Sequence, residues 1–184
     1  MKLHFRQERT TQAAAHLLRR RGGRMSYMKL LKLLYLADRT ALLTLGRPIT
    51  YDRYVAMDHG PVLSQTYNLM VAEASPSEPV GYWRQWISEP DQYEVKLVNS
   101  DPPVDELSPA QLTILDSIFA QFGALGRWDL VKFVHTLPEW EDPHGSSIPI
   151  ALRDVLRGGG MDDEDAELVE DGLLAEDALA SLLD

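Results

Sequence analysis

The sequence contains no cysteine, which excludes both a disulfide framework and a thiolate zinc site. No apolar run approaches the ~18 residues a membrane span needs. The first ten residues, MKLHFRQERT, also have no apolar stretch of the kind that opens a secretory signal. These absences point to a soluble, cytoplasmic chain with no membrane partner. The five histidines, His4, His16, His59, His135 and His144, never fall in the H-E-x-x-H spacing that puts two metal ligands on one helix face. A Gly-rich phosphate loop and a nucleophile motif are missing too, so no enzyme, cofactor or metal site is expected. The sharpest absence is regional. Residues 162–184 hold ten carboxylates and no Lys or Arg. The other 18 acids match the 18 bases, so this segment carries the entire net charge of −10. Residues 1–32 lean the other way, with nine bases against Glu8 alone.

What remains is an ordinary globular composition, 45% hydrophobic over 184 residues, enough for one domain with a real core. Helical spacing of Ala13, Ala14, Leu17 and Leu18 predicts a helix over Gln7–Arg21, ended by Gly22-Gly23. Ser26 is a good N-cap for a second helix, Tyr27–Leu45. Its apolar arc is so wide that burial on most of its circumference follows. Gly46 and Pro48 stop it. Ile49–Val55 reads as extended or loop. Gly60-Pro61 reads as the start of a third helix running to about Glu73, with proline at the first position. After a loop at Ser75–Pro79, segments 82–88 and 93–98 read as two strands of a small β-hairpin, the second alternating Tyr93, Val95 and Leu97 against Glu94 and Lys96. Ser108-Pro109-Ala110-Gln111 combines a capping box with proline at the first helical position. Further helices are expected over Trp128–Thr136 and from Ser147 to Val155. Gly158-Gly159-Gly160 reads as a flexible linker. It precedes an acidic tail whose leucines could form an amphipathic helix against the body or a partner.

The pattern K-L-L-K-L-L-Y-L-A-D-R at Lys29–Arg39 is followed by Gly46, Pro48 and Ile49, then by A-M-D-H-G-P-V at Ala56–Val62 and by Tyr67. Leu115, Trp128-Asp129-Leu130, His135 and Trp140 come later. In this order and spacing, over roughly residues 7–142, the chain resembles the SocA-like, or Panacea, antitoxin domain. The resemblance implies a mainly α fold: a compact multi-helix single domain with a small β-hairpin, to which this chain adds an acidic C-terminal tail. The domain is expected over 1–157 and the tail over 158–184. The resemblance also implies an antitoxin that binds and neutralises a cognate protein toxin encoded beside it in a bacterial or phage two-gene system. The alternative is a proteolytic adaptor that delivers the toxin to the ClpX component of ClpXP.

Lys29, Lys32, Tyr35, Asp38, Gly46, Pro48, His59, Gly60, Pro61, Tyr67, His135 and Trp140 are the motif positions, and a structural role is the favoured reading of each. His59 could hold an anion at a helix start, but packing in the turn is the commoner fate. His135 and Trp140 read as a structural pair. Asp38, Lys32 and Arg39 read as an ion-pair or hydrogen-bond cluster tying the second helix to the Gly60-Pro61 turn, since a lone buried carboxylate is costly. An acid/base site is the less favoured reading. Candidate toxin contacts are Arg47, Tyr51 and Arg53 in the 47–59 segment, and Leu173 and Leu174 in the tail. Finally, Arg6, Arg9, Arg19, Arg20, Arg21, Arg24, Lys29 and Lys32 would suit a DNA-binding autorepressor if they shared a face. An acidic pI of 4.9 argues against that partner.

Overall fold

The structure is a computed structural model that describes residues 3–73, 77 and 79–183. Most of the loop expected at Ser75–Pro79 lies outside the described residues. In chain order the elements are α1 (Gln7–Arg20), β1 (Arg24–Ser26), α2 (Tyr27–Leu45), β2 (Tyr54–Met57), β3 (Gly60–Leu63), α3 (Ser64–Val71) and α4 (Tyr82–Trp86). They continue with β4 (Glu94–Lys96), α5 (Pro109–Phe122), α6 (Arg127–Val134), β5 (Ile148–Ile150), α7 (Leu152–Gly158) and α8 (Asp163–Leu183). The protein is mainly α, with two small antiparallel sheets, β1-β4 and β3-β2-β5.

Helix α2 is the axis of the fold. Ser26 accepts from the Lys29 N–H at its start, and Gly46 closes it in a left-handed conformation. Every residue from Lys29 to Asp38 is buried, because α1, α5, α6, α7 and β3 all pack around it. Leu30, Leu33, Leu34 and Leu42 are fully enclosed. Each contributes about 1.5–3 kcal/mol of burial, so Leu33→Ala would cost about 2–5 kcal/mol with its cavity. Helix α5 starts at the Ser108–Gln111 capping box, both of whose hydrogen bonds form.

Four local expectations are overturned. Gly60-Pro61 opens a strand, not a helix. Asp58-His59 is a two-residue turn, and β2 and β3 pair with Met57 opposite Gly60 and Ala56 opposite Pro61. A two-residue turn makes the first of these pairs hydrogen-bonded and the second not. Proline therefore sits where no ladder donor is needed. Helix α3 begins only at Ser64, and its cap comes from elsewhere in the chain. Residues 82–88 are not one arm of a hairpin. Trp83 and Trp86 lie on a short helix, α4, that packs on α1, and only Ile87 bridges to Leu97. Strand β4 instead pairs with β1, Arg24 opposite Lys96. Ser147 starts no helix, because Ile148-Pro149-Ile150 forms an edge strand on β2, where proline is tolerated.

Gly158-Gly159-Gly160 is a packed turn, not a spacer. A Cβ on Gly159 would clash with Leu43 Cδ2, and one on Gly158 would sit 2.6 Å from Glu139 Oε2. The acidic segment beyond it is one long helix, α8, docked on the body through Ala166, Leu173 and Asp177, all buried.

Candidate partner-binding site

The β2–β3 hairpin tip is gripped from two sides. From α2, Lys32 Nζ donates to the Pro61 carbonyl at 2.9 Å. That carbonyl points away from the hairpin because Pro61 occupies a non-hydrogen-bonded position. From the other side, Trp140 Nε1 donates to the Met57 carbonyl at 3.1 Å, and the Gly145 N–H donates to Asp58 Oδ1 at 2.8 Å. The His135 ring stacks on Trp140 with centroids 3.9 Å apart. Gly60 lies between these groups with φ +100°, and a Cβ there would come within 2.5 Å of Val134 Cγ2. Both the conformation and the space demand glycine.

Beside the tip, a cavity of about 270 Å³ is walled by Tyr27, Leu31, Lys32, His59, Val62 and Tyr67, among others. Three motif positions therefore meet in one concave feature. Its rim is aromatic and cationic. His59 meets Trp128 edge-on at 5.4 Å. The Arg127 guanidinium lies 5.5 Å from the Trp128 ring and 6.0 Å from the Tyr93 ring, and Tyr93 stacks on Tyr27. Trp128 is half exposed and Tyr93 more so. Trp, Tyr and Arg are the side chains that most often dominate binding energy at protein interfaces.

Asp38, Lys32 and Arg39 do not form one cluster. Asp38 is fully buried, and its Oδ1 accepts from the N–H groups of Ile49 (2.9 Å) and Thr50 (3.0 Å). Its Oδ2 accepts from Thr50 Oγ1 (2.5 Å) and Tyr54 Oη (3.2 Å). It thus anchors the loop after Pro48, not the Gly60-Pro61 turn. Arg39 instead forms a bidentate pair with Glu139 (2.7 and 3.3 Å), which also accepts from Tyr35 Oη at 2.8 Å. Lys29 Nζ donates to the Gly123 carbonyl at the end of α5. Asp38, six residues after Lys32, faces away from it, while Arg39, seven residues on, returns to the same side about two turns further along the axis, so three neighbouring charges serve three separate elements.

Burial is the leading influence on both internal ionisable groups. It pushes the Asp38 carboxyl up to about 7, against the pull of its donors, and it brings the Lys32 ammonium down to about 7. Desolvation also lowers His135 and raises the phenols of Tyr35 and Tyr54. Lys32 borders the cavity, whereas Asp38 is not among its walls. Two groups poised near neutrality therefore do not face each other across a shared space.

Two essential residues had no local signal. Asp52 is buried and accepts from the N–H groups of Gln65 (2.9 Å) and Thr66 (2.8 Å) and from Thr66 Oγ1 (2.7 Å). The N-cap position itself, Leu63, offers no side-chain bond, so Asp52 satisfies the first turn of α3 from 12 residues upstream of Ser64. Glu139 has a side chain with no exposure beside a partly buried Arg39.

The candidate toxin contacts divide. Arg47 is exposed and pairs with Glu176 at 3.2 Å. Arg53 and Leu174 share a second cavity of about 300 Å³ with Tyr54, Val55 and Ile150. Tyr51 is 6% exposed and Leu173 2%, so neither is presented to a partner while α8 is docked. Six of the eight basic residues suited to a DNA-binding face are paired with acids or buried. Arg6 pairs with Asp177, Arg19 with Asp101, Arg20 with Asp116 and Arg24 with Glu94, while Lys29 and Lys32 are buried. No helix among the described residues is long and apolar enough to cross a membrane.

A family model described as antitoxin SocA-like, Panacea domain, matches residues 30–141. That span runs from within α2 through the hairpin tip and most of the cavity's lining to just beyond Trp140. No curated protein and no solved structure matches the chain.

Proposed function

The chain belongs to the SocA-like Panacea antitoxin family, and we propose from that membership that it neutralises a cognate protein toxin by direct binding, without chemistry of its own. The observation that carries the reading is the cavity beside the hairpin tip with its Tyr93–Arg127–Trp128 rim. It offers exposed anchors in the first turn of α6 and in the turn before β4, within the matched region. Arg47 and Arg53 lie on the connection between α2 and β2, which the Asp38 and Asp52 hydrogen bonds hold in one conformation. A surface pre-organised in this way loses little entropy when a partner docks. The buried Asp38 and Asp52 carboxylates support binding over catalysis, because both are occupied by backbone N–H and hydroxyl donors of neighbouring segments.

The test is to induce the neighbouring reading frame with and without this chain, then isolate the pair. Growth inhibition relieved by a stable complex supports the reading. Trp128→Ala and Arg127→Ala should weaken that complex while the fold survives, as both side chains are exposed. If relief comes with protease-dependent loss of the toxin, the ClpXP adaptor replaces neutralisation by occlusion. A harmless neighbour that does not co-purify overturns both.

A further inference from the structure

Helix α8 has two apolar faces, and only one of them is used by the body. The inner face carries Ala166, Leu173 and Asp177, all at most 3% exposed. Its acids meet bases of the body: Asp177 with Arg6, Glu176 with Arg47, Glu170 with Arg153, and Asp163 with Arg157. The outer face carries Leu168, Gly172, Ala175, Leu179 and Leu182, all exposed. The three leucines are 65%, 61% and 82% accessible. Their spacing is 4-3-4-3, which keeps all five on one stripe of an α-helix about 20 Å long. Isolated exposed leucines need no explanation, but five apolar positions in register with small residues at the centre form a seam. Glu164 and Asp171 flank it on one side and Asp165 on the other, all exposed.

We propose that this outer stripe docks a basic amphipathic helix of a protein partner. Charge selects the occupant. The segment 162–184 carries ten acids and no base, so a second copy would set like charges along both edges of the seam. An anionic lipid surface is disfavoured for the same reason. A helix with a leucine seam flanked by Lys or Arg satisfies both the apolar stripe and its acidic margins, and the small Gly172 and Ala175 allow close approach. The ion pairs on the inner face fix the rotation of α8 and so keep the stripe outward. The inference rests on the antitoxin reading only for the partner's identity, which would be the toxin.

The probe is a labelled synthetic helix of about 20 residues with leucines at 4-3-4-3 spacing and lysines on both flanks, titrated into the full chain and followed by fluorescence anisotropy. Wild type should bind it, more weakly as salt rises. The variant Leu168→Ser/Leu179→Ser/Leu182→Ser should bind roughly tenfold less tightly, with an unchanged circular dichroism spectrum because the replaced side chains are exposed. The variant Glu164→Gln/Asp165→Asn/Asp171→Asn should lose most of the salt dependence. Equal binding by the triple-serine variant, or equal binding of a peptide with glutamates in place of lysines, overturns the proposal. So does stripe-dependent dimerisation in sedimentation, which would make the occupant a second copy. The neighbouring gene product separates the two readings. If it binds wild type and the triple-serine variant alike, the stripe is refuted and the antitoxin reading stands. If it binds neither while the lysine peptide discriminates them, the antitoxin reading fails and the stripe stands.

Discussion

Helices α2 and α8 both bury charged side chains, yet they hold them by different means. In α2, Asp38 and Lys32 are at most 1% exposed, and backbone atoms of adjacent loops are among their partners. In α8, the buried Asp177 accepts one backbone N–H, that of His4, and otherwise meets the partly exposed side chains of His4 and Arg6 at the protein edge. Backbone donors and acceptors fixed by a fold impose geometry and are little affected by salt. Side-chain ion pairs at a surface are weaker and screened. The first arrangement builds a core that specifies loop conformations; the second clips an added helix onto it.

The sharpest way to break the contrast is at Asp38. Asp38→Ala leaves the buried N–H groups of Ile49 and Thr50 unsatisfied and should cost about 3–5 kcal/mol in urea unfolding. Asp38→Asn keeps an oxygen for both N–H groups and can donate to Thr50 or Tyr54 instead, so its cost should stay below about 1 kcal/mol. Two substitutions equal in cost would refute this account of the loop anchor.

The pH dependence of the same region comes next in size. With its carboxyl raised from 3.8 to about 7, folded Asp38 binds its proton more tightly than the unfolded chain does. Its contribution to stability is complete below 3.8 and lost as pH rises through about 7. Asp38→Asn should therefore gain on wild type between those limits and hold its gain above them. Lys32 behaves oppositely. Its amine falls from 10.5 to about 7, so its contribution is complete above 10.5 and lost as pH falls through about 7. Lys32→Met should gain on wild type as pH falls across that window, seen as a pH-dependent difference in denaturation midpoint. Flat differences in both variants would mean that burial does not govern either group.

A smaller effect is expected at the hairpin tip. Gly60→Ala must place a Cβ at φ +100° and push aside Val134 Cγ2, for about 1–3 kcal/mol in thermal unfolding. Gly172→Ala, in the open on α8, should instead stabilise by up to about 1 kcal/mol. The same substitution with opposite signs separates a glycine held by packing from one exposed on a helix.

The sequence made α2 and α5 legible because their caps are local: Ser26 and Ser108 lie within three residues of the groups they satisfy, while α1, which has no side-chain N-cap, was legible from its Ala/Leu spacing and the Gly22-Gly23 stop. It misplaced α3 because Asp52, its cap, is distant in the chain, and because Gly-Pro signals a helix start as well as a non-hydrogen-bonded strand position. The Trp83/Trp86 spacing fits a helix turn, yet β-rich composition suggested a strand until packing on α1 decided it. The same limit applied at the site. Lys32, Asp38 and Arg39 were recognised as a charged group in need of partners, but which segment each would meet depends on tertiary contacts. In the acidic segment, composition located the charge, while only the fold shows that Leu173 faces inward and Leu168, Leu179 and Leu182 outward.

The clip that holds α8 should give the smallest effects, and they should stay local. Asp177→Ala removes an acceptor shared by the His4 N–H, its ring and Arg6, and should cost about 1–2 kcal/mol. The loss should appear as faster hydrogen exchange in α8 with α2 unchanged. Arg47→Ala breaks a pair whose members are 54% and 59% exposed, so it should cost under about 0.5 kcal/mol and nothing measurable at high salt. If Arg47→Ala instead slowed recovery from the toxin at unchanged stability, Arg47 would be a contact for the partner and not a clip for the helix. If either substitution accelerated exchange throughout α2, α8 would be part of the core, and the distinction between the two helices would fall.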